Sequence, residues 1–418
     1  MSVENQTFPK SVQPGIPKLG PTPKGWKRHH IGDLLDVVSR PTELHDDQEY
    51  DLVTVKRSRG GIDRRSHLLG RQISVKSQYL LDEGDFLISK RQIVHGACAV
   101  VPAEFSGSIV SNEYSVLRPR PILRLNYLRY LVHSIYLQQT FFHSSVGVHV
   151  EKMIFRLEDW FKWPIHLPPV PEQEKLGKGL MDADAKITLL SDKRTELEDY
   201  KRGLMQRLFS RELRFTRDDG SAFPDWEERR LGELGNLYGG LSGKTSDDFG
   251  SGQPYVTYRQ VFEAARLKVE NFDYVDIRAG ERQSRVCFGD VLVTTSSETP
   301  QEVGFSSVVL DQFGEVYLNS FCFGFRPNDL ATLLPEFSRQ LFRAPAYRRA
   351  VEKLAQGSTR YNISRTGFLK ISLRIPHPDE QRKIATALSA LDAKIDALSQ
   401  KITEMEAFKK GLLQKLFV

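Results

Sequence analysis

The sequence predicts an α+β protein with two globular domains, related by internal duplication and separated by two long helices that pack as an antiparallel coiled coil. Three observations support this. One stretch occurs twice, as residues 172–210 and 380–418, aligned without a gap and identical at about half of its positions. Both copies repeat apolar residues in alternating steps of four and three, the pattern of a coiled-coil seam. Similar short motifs precede each copy in the same order, which indicates that whole domains are duplicated.

The repeated stretch is predicted to be helical, and its apolar stripe requires a partner. Lys201 and Lys409 are matching polar breaks in the stripe, and Arg194 is a third exception. The nearest candidate partner is the other copy. The alternative is a coiled coil that only holds the fold together or dimerises the chain. The predicted seam residues are Leu176, Ile187, Leu190, Leu197, Leu204, Ile384, Leu391, Ile395, Leu398, Ile402 and Leu412.

The length and the ends of these helices suggest a spacer. Each would be about 58 Å long at 1.5 Å per residue. Both open after a proline with acidic residues and end rich in Lys and Arg, which suits the helix dipole. Their length is greater than an ordinary globular helix needs, so each helix is suited to hold two parts of the chain apart.

Taken in order, the chain is predicted to begin with a disordered leader, since residues 1–22 are rich in proline and show no periodicity. Openings with Trp26 and Trp226 introduce the two domains, and Gly-Asp pairs at 84–85 and 289–290 each precede a buried strand. Within each domain, β-rich runs alternate with helical patterns at 123–142 and 333–354. The predicted segments are leader 1–22, domain A 23–168, first long helix 169–212, linker 213–222, domain B 223–376 and second long helix 377–418.

Composition sets broad limits on the protein class. With 418 residues, 40% hydrophobic content and 27% charged residues, the chain can bury two or three domain cores. No membrane-spanning run or secretory leader is seen, so a cytoplasmic protein is expected. Three separated cysteines predict neither a disulfide framework nor a metal site. A net charge of +6 is compatible with a polyanionic partner without requiring one.

No catalytic site is predicted, and neither is a cofactor. The run ending in Gly243-Lys244-Thr245 is similar to a phosphate-binding P-loop but lacks its first glycine, because position 238 is Tyr. A nucleotide hydrolase using Lys244 nevertheless remains one alternative. The chain lacks the Asn/Asp-Pro-Pro-Tyr/Phe loop of an adenine methyltransferase and the clustered carboxylates of a nuclease. His29-His30 is interpreted as an ordinary surface pair.

The repeated motifs resemble those of a known family. A tryptophan opening, a Gly-Asp strand, an E-Q-x-K-[LI] helix start and a K-x-G-L-x-Q-x-L-F helix end, each present twice, are similar to the specificity subunit of type I restriction-modification enzymes. The stretch 239–262 also resembles a recurring opening of that family's target-recognition domains. The resemblance covers the chain from about Pro23 onward.

The resemblance implies a non-catalytic subunit that binds a bipartite double-stranded DNA target. Its two helices would dock two methyltransferase subunits, and the complex would include restriction and translocase subunits that supply ATP-dependent cleavage. The alternative is a stand-alone tandem-domain DNA-binding regulator. No membrane partner is implied.

DNA contacts are predicted in polar loops, because Arg, Lys, Asn, Gln and Ser side chains can reach base edges or phosphates. One group follows the Gly-Asp strands, a second lies at 244 and 258–260, and a third lies at 358–362. For any single cation in these loops, an ordinary solvated surface charge is the competing interpretation. The runs 56–59 and 64–65 are interpreted as phosphate contacts. The predicted DNA-binding residues are Lys90, Arg91, Gln92, Lys244, Tyr258, Arg259, Gln260, Ser296, Ser297, Arg360 and Asn362.

Overall fold

The computed structural model describes residues 9–268, 270 and 272–416, which divide into two compact units. The first unit runs up to Ser191 and includes the residues from Gln400 onward, whereas the second is Asp192–Ser399. Each unit therefore combines one predicted domain with parts of both long helices. No helix in the described part of the chain is long and apolar enough to cross a membrane.

The first unit contains a four-stranded antiparallel sheet in the order β2-β10-β7-β8 and a five-stranded sheet in the order β3-β6-β9-β4-β5. Strands β1 and β13 form one further antiparallel pair, and β11 and β12 form another. Its strands are β1 (Lys27–His30), β2 (Leu35–Val37), β3 (Pro41–Thr42), β4 (Glu49–Val55), β5 (Ile62–Leu69), β6 (Gln78–Leu80), β7 (Phe86–Ser89), β8 (Cys98–Val100), β9 (Ile109–Ser111), β10 (Tyr114–Pro119), β11 (Ser145–Val146), β12 (Ile154–Phe155) and β13 (Pro164–Leu167). Its short helices are α1 (Leu125–Leu131), α2 (Ile135–His143) and α3 (Leu157–Phe161).

The second unit has the same arrangement of corresponding strands. Its four-stranded sheet has the order β15-β22-β18-β20, a second sheet has the order β17-β16-β21, and the pairs β14-β24 and β19-β23 complete it. Its strands are β14 (Glu227–Arg230), β15 (Gly235–Gly239), β16 (Phe249–Val256), β17 (Asp273–Val275), β18 (Val291–Thr294), β19 (Ser296–Ser297), β20 (Ser306–Val308), β21 (Tyr317–Leu318), β22 (Cys322–Pro327), β23 (Tyr361–Asn362) and β24 (Ser372–Ile375). Its short helices are α5 (Leu231–Leu234), α6 (Tyr258–Glu263), α7 (Pro335–Leu341), α8 (Pro345–Glu352) and α9 (Arg365–Leu369).

The two long helices are α4 (Val170–Ser210) and α10 (Pro378–Leu416), close to the predicted bounds. The helical patterns predicted at 123–142 and 333–354 are each two short helices. Ser134 begins α2 by accepting a hydrogen bond from the Leu137 backbone N–H, and Pro345 begins α8. Mixed helix and strand content in both units agrees with the α+β prediction.

The Gly-Asp motifs form the same turn in both units, directly before an inner strand of the four-stranded sheet, β7 or β18. Gly84 and Gly289 have φ of 84° and 85°, a left-handed conformation that favours glycine. The aspartate that follows is buried in each domain. Asp85 pairs with Arg118 at 2.7 Å, and Asp290 pairs with Arg326 at 2.7 Å. The same turn, buried aspartate and arginine partner thus stabilise the frame of both domains.

The start of each long helix is fixed to its domain by a buried glutamine. Gln173 Nε2 donates to the carbonyls of Ile122 and Pro168 at 2.8 and 2.9 Å. Gln381 Nε2 donates in the same way to the carbonyls of Thr332 and Pro376, also at 2.8 and 2.9 Å. Both glutamines are fully buried, so the repeated E-Q motif is an anchor between helix and domain.

The tryptophan at the opening of each domain contacts the neighbouring glutamate of the same motif. Trp26 Nε1 donates to Glu172 at 3.2 Å, and Trp226 Nε1 donates to Glu380 at 3.1 Å. Glu380 is fully buried and also pairs with Arg214 at 2.8 Å. The motif that opens each domain and the motif that starts each long helix are therefore parts of one structural junction.

The polar breaks in the helical stripe form ion pairs between the two long helices. In the first unit, Lys409 Nζ lies 2.5 Å from Asp184 Oδ1, and in the second unit Lys201 Nζ lies 2.6 Å from Asp392 Oδ1. Asp184 and Asp392 occupy the same position of the repeated stretch, as do the two lysines. The structure places all the predicted seam residues in buried or half-buried positions: Leu176, Ile187, Leu190, Leu197, Leu204, Ile384, Leu391, Ile395, Leu398, Ile402 and Leu412.

The leader differs from its prediction. Residues 9–22 lie against the first unit, where Val12 is 4% exposed and Thr22 Oγ1 is 3.0 Å from His166 Nε2. This buried apolar side chain and the polar contact with His166 attach the segment to the domain. The prediction of disorder therefore does not agree with the structure for residues 9–22. Residues 1–8 lie outside the described part of the chain.

Candidate nucleic-acid interface

In the first unit, the predicted loop follows the end of strand β7. All four residues of β7 are buried, and the chain then turns outward at Lys90. Lys90 Nζ donates to the carbonyl of Asn112 at 2.7 Å. Arg91 forms a two-point pair with Glu113, with distances of 2.5 and 3.2 Å. We call Lys90, Arg91 and Gln92 the A loop.

A second chain segment supports the A loop. Gln92 Oε1 accepts a hydrogen bond from Arg57 Nε at 2.8 Å, and Arg57 Nη2 donates to Glu151 at 2.9 Å. Glu151 also lies 3.0 Å from Nε2 of the buried His95. Burial lowers the pKa of His95, and Arg57 adds to this effect. Arg57 therefore positions Gln92 through one hydrogen bond and forms an ion pair with Glu151.

The cations of the A loop would have to exchange partners when a polyanion binds. The pair between Arg91 and Glu113 is about half exposed on both sides, and its hydrogen bond lowers the pKa of Glu113. Exposed pairs of this kind add little stability, because solvent screens their charges. A DNA phosphate or a guanine edge can therefore replace the carboxylate at little cost.

In the second unit, three predicted stretches converge. Ser296 and Ser297 pair antiparallel with Asn362 and Tyr361 through β19 and β23. The hydroxyl of Tyr258 donates to the carbonyl of Ser296 at 2.7 Å. We call Tyr258, Ser296, Ser297, Arg360 and Asn362 the B cluster.

The B cluster borders a cavity of about 440 Å³. Its walls include Tyr258, Phe262, Thr359 and Arg360. The Arg360 guanidinium lies 5.5 Å from the centre of the Phe321 ring and forms no ion pair within the described residues. An unpaired, exposed guanidinium beside aromatic rings is suited to a base edge or a phosphate.

Not every predicted residue of the B cluster faces outward. The side chains of Ser296 and Ser297 are 4% and 6% exposed, and Ser297 Oγ donates to Glu302 at 3.1 Å. Because both side chains are buried, a role in holding the backbone of the B cluster fits them better than direct contact with a base. Arg360 and Asn362 are exposed, so they are the better candidates for direct contact.

Arg259 and Gln260 follow Tyr258 in helix α6. Arg259 is 83% exposed and pairs with Glu263 at 2.7 Å. Gln260 accepts a hydrogen bond from the Thr257 backbone N–H at 2.9 Å and so closes the start of the helix. Arg259 remains available to a phosphate, whereas Gln260 has a local structural role.

Lys244 is held inside domain B, away from any open surface. Its ammonium donates to Glu281 Oε2 at 2.6 Å and to the carbonyl of Asp276 at 2.5 Å, and the side chain is 5% exposed. The hydrogen bond from Lys244 lowers the pKa of Glu281 to about 2. The structure therefore favours neither a nucleotide site nor a DNA contact at Lys244.

Lys244→Met is expected to lower the melting temperature of the full chain by about 2–4 °C, because it leaves Glu281 without its cation. The dependence of DNA affinity on salt should be unchanged. Since the pKa of Glu281 is lowered, the stability that its ionised form contributes is present above its ordinary pKa and is lost as pH falls through about 2. Thermal unfolding at pH 7 and binding assays at several salt concentrations measure both effects.

Lys370→Met, which removes an exposed lysine of the same domain, is the matched control and should leave the melting temperature unchanged. A salt slope reduced by about one in Lys244→Met, with normal stability, would instead identify Lys244 as a phosphate contact.

Sequence reasoning missed acidic residues at the B cluster. Glu298 and Glu302 line its cavity, and Glu302 also accepts a hydrogen bond from Thr299 at 2.8 Å. Carboxylates accept from the amino group of cytosine in the major groove. The sequence prediction considered mainly side chains that donate hydrogen bonds and therefore left these carboxylates out. Their position shortly after Ser296 and Ser297, which were predicted to contact DNA, could have identified them.

No metal centre is evident in residues 9–268, 270 and 272–416, where no three His, Cys, Asp or Glu side chains are grouped as ligands. The described part of both surfaces offers cations, amides, hydroxyls and carboxylates instead. These groups can recognise phosphates and base edges.

Comparisons with known proteins find similarity along both halves of the chain. A family model described as type I restriction modification DNA specificity domain matches twice, at residues 23–199 and 224–407. A curated relative, the type I restriction enzyme MjaVIII specificity subunit of Methanocaldococcus jannaschii, is 22% identical over 419 residues, covering 94% of this chain and 92% of the relative.

Two solved structures share the fold. The first, from a study of complex assembly and conformational transition of the type I R-M system, has a TM-score of 0.57 at 19% identity and covers 96% of this chain and 99% of the other. The second is a type I restriction-modification system S subunit from M. genitalium. It has a TM-score of 0.57 at 15% identity and covers 97% of this chain and 99% of the other.

Proposed function

Because the chain belongs to the type I restriction-modification DNA specificity family, we propose that it is the DNA sequence-specificity subunit of such a complex. In this role it binds a bipartite double-stranded target and docks methyltransferase and restriction subunits. The partner subunits supply adenine methylation and ATP-dependent cleavage, and this chain supplies recognition. The family model matches both halves of the chain, which supports one reader in each half.

The observation that carries the proposal is a shared frame with different chemistry at equivalent loops. Both units have the same order of strands in their four-stranded sheets and the same ion pair between a buried aspartate and an arginine. After the strand that follows the Gly-Asp turn, domain A presents Lys90 and Arg91, whereas domain B has the buried Ser296 and Ser297 and presents Arg360 from the segment paired with them. An internal duplication that keeps the scaffold and changes the contacting side chains is suited to reading two different short sequences.

We further propose that the two long helices pair antiparallel as the spacer of this subunit. In the first unit Asp184 pairs with Lys409, and in the second unit Lys201 pairs with Asp392. Residue numbers thus rise on one helix as they fall on the other. The burial of the apolar stripe supports a coiled-coil seam along the same faces.

The test is methylation mapping of a genome that carries this chain together with its methyltransferase and restriction subunits. A methylated motif with two specified halves around an unread gap is the expected result. A chain that binds a split site tightly without any partner, and that leaves methylation unchanged, would instead be a stand-alone regulator.

Replacing residues 223–376 with the second domain of another family member is expected to change one half of the methylated motif completely and to leave the other half intact. The physical reason is that each domain has its own core and its own loops. The matched control replaces residues 23–168, which should change the opposite half. A change in both halves from either replacement would contradict modular reading.

A further inference from the structure

One hairpin of domain A exposes apolar side chains where a polar loop would be expected. Strands β11 and β12 pair with the register Ser145 to Phe155 and Val146 to Ile154. Ser145 and Phe155 are 7% and 4% exposed and face the core. Val146 and Ile154 are 51% and 47% exposed on the opposite face. Because neighbouring residues on a strand point to opposite sides, this outward apolar pair is set by the register.

The connection between the two strands adds a third exposed apolar side chain. Val148 is 89% exposed, the highest exposure among the large apolar residues in the described part of the chain. Gly147 lies close to the other side of the hairpin, because a Cβ there would be 2.9 Å from Met153 Cα. The three residues Val146, Val148 and Ile154, here called the valine tip, occupy one short hairpin. Burying them on a partner would recover about 25 cal/mol per Å² of apolar surface.

The valine tip lies beside the A loop. The Phe155 backbone N–H donates to the carbonyl of Lys90 at 2.9 Å, which fixes the hairpin against the loop. Glu151, on the same hairpin, accepts a hydrogen bond from Arg57, the residue that holds Gln92. The apolar tip and the proposed DNA contacts therefore belong to one continuous surface.

Charge around the valine tip identifies the kind of partner. Lys90 and Lys152 flank it and form no ion pair within the described residues. His149 and Arg156 are also exposed beside it. Because Glu151 of the same hairpin is paired with Arg57, the cations beside the apolar patch have no carboxylate partner in the described part of the chain, and the patch fits a polyanion with apolar groups at its surface better than an uncharged protein face.

The corresponding segment of domain B has different chemistry. There, Gln356 and Asn362 form the antiparallel bridge, and the loop between them carries Thr359 and Arg360. Domain B thus offers a guanidinium where domain A offers aliphatic groups. The two segments follow equivalent helices, α8 and α2, so the difference lies in the contacting residues.

We propose that the valine tip reads the C5 methyl group of a thymine in the half-site recognised by domain A. This inference rests on the proposed function and names the chemistry of one contact. The thymine methyl is the apolar group that base pairs present in the major groove, and aliphatic side chains recognise it by contact. Val148 is the principal contact, and Val146 and Ile154 extend the same face.

The experiment measures DNA binding by the full chain with its methyltransferase subunits, on a duplex that carries the mapped target. Each thymine of the domain A half-site, on either strand, is replaced in turn by uracil, which removes only the methyl group. At one position or more, the affinity should fall about three- to tenfold, as loss of a buried methyl predicts. Val148→Ser should bind the thymine duplex more weakly and should no longer distinguish thymine from uracil.

Val75→Ser is the matched control, since Val75 is 49% exposed in the same domain outside the hairpin. It should keep the full preference for thymine. The inference is overturned if no uracil replacement weakens binding, if the half-site has no thymine, or if Val148→Ser mainly releases the methyltransferase subunits. Failure of the wild-type complex to bind any bipartite target would overturn the proposed function instead.

Discussion

Asp290→Ala is expected to lower the free energy of unfolding of domain B by about 2–4 kcal/mol, because it leaves several donors without an acceptor. The carboxylate is 1% exposed and accepts from Arg326 at 2.7 Å. It also accepts from the Tyr238 hydroxyl at 2.7 Å and from the Cys287 backbone N–H at 2.8 Å. Burial, with a contribution from Asp290, raises the pKa of Tyr238 far above its usual value, so this hydroxyl remains a donor.

Chemical denaturation of the full chain measures this effect. Glu263→Ala is the matched control in the same domain, since Glu263 is 55% exposed and solvent screens its surface pair with Arg259. Asp290→Asn should fall between the two, because an amide keeps the shape and one acceptor oxygen. A loss no larger in Asp290→Ala than in Glu263→Ala would show that the frame does not depend on this carboxylate.

Asp290 shows which contacts could not be predicted from the sequence. The Gly-Asp pair predicts a turn before a buried strand, and this local part agrees with the structure. The partner Arg326 lies on β22, and only the sheet brings it to the carboxylate. The same limit applies to Gln381, whose motif is visible in the sequence while its acceptors at Thr332 and Pro376 are supplied by the fold.

The long helices were predictable because their signal is local. Heptad spacing requires only neighbouring residues along the chain, so the sequence predicts a seam, and its residues are buried or half-buried in the structure. The meaning of Lys201 and Lys409 did not follow, since each lysine needs an aspartate from the other helix. Residues that look like defects in the stripe are therefore partners in the pairing.

The candidate DNA contacts were predictable as loops but not as a surface. Tyr258, Ser296 and Asn362 are distant in sequence and meet through one hydrogen bond and one strand pair. Lys244 seemed equivalent to them because its partner Glu281 is also distant in sequence. Residue type alone does not distinguish an exposed cation from one that a carboxylate already holds.

A fragment that ends at Arg214 is expected to form a stable dimer through its copy of the long helix. Without residues 400–416, domain A loses the contacts that Leu412 and Leu413 make with its core. The matching residues of the first copy are Leu204 and Met205, so a second fragment can supply equivalent side chains. With methyltransferase subunits, such a dimer should methylate an inverted repeat of the domain A half-site, since a two-fold protein requires a two-fold site.

The ion pairs of the helices indicate that the dimer is specific. Asp184 and Asp392 match in the repeat, so antiparallel pairing of two first copies brings Lys201 of one fragment to Asp184 of the other. Both ion pairs are thereby retained. Arg194, which stands where the second copy has the buried Ile402, makes the pairing weaker than in the intact chain.

Sedimentation velocity of the fragment and of two charge variants separates this pairing from unspecific association. Lys201→Glu should weaken the dimer about tenfold, because it places two acidic residues together at both ends of the seam. The double variant Lys201→Glu with Asp184→Lys reverses both charges and should restore the dimer. A well-folded fragment that stays monomeric, or a dimer indifferent to Lys201→Glu, would show that the two helices are not interchangeable halves of one spacer.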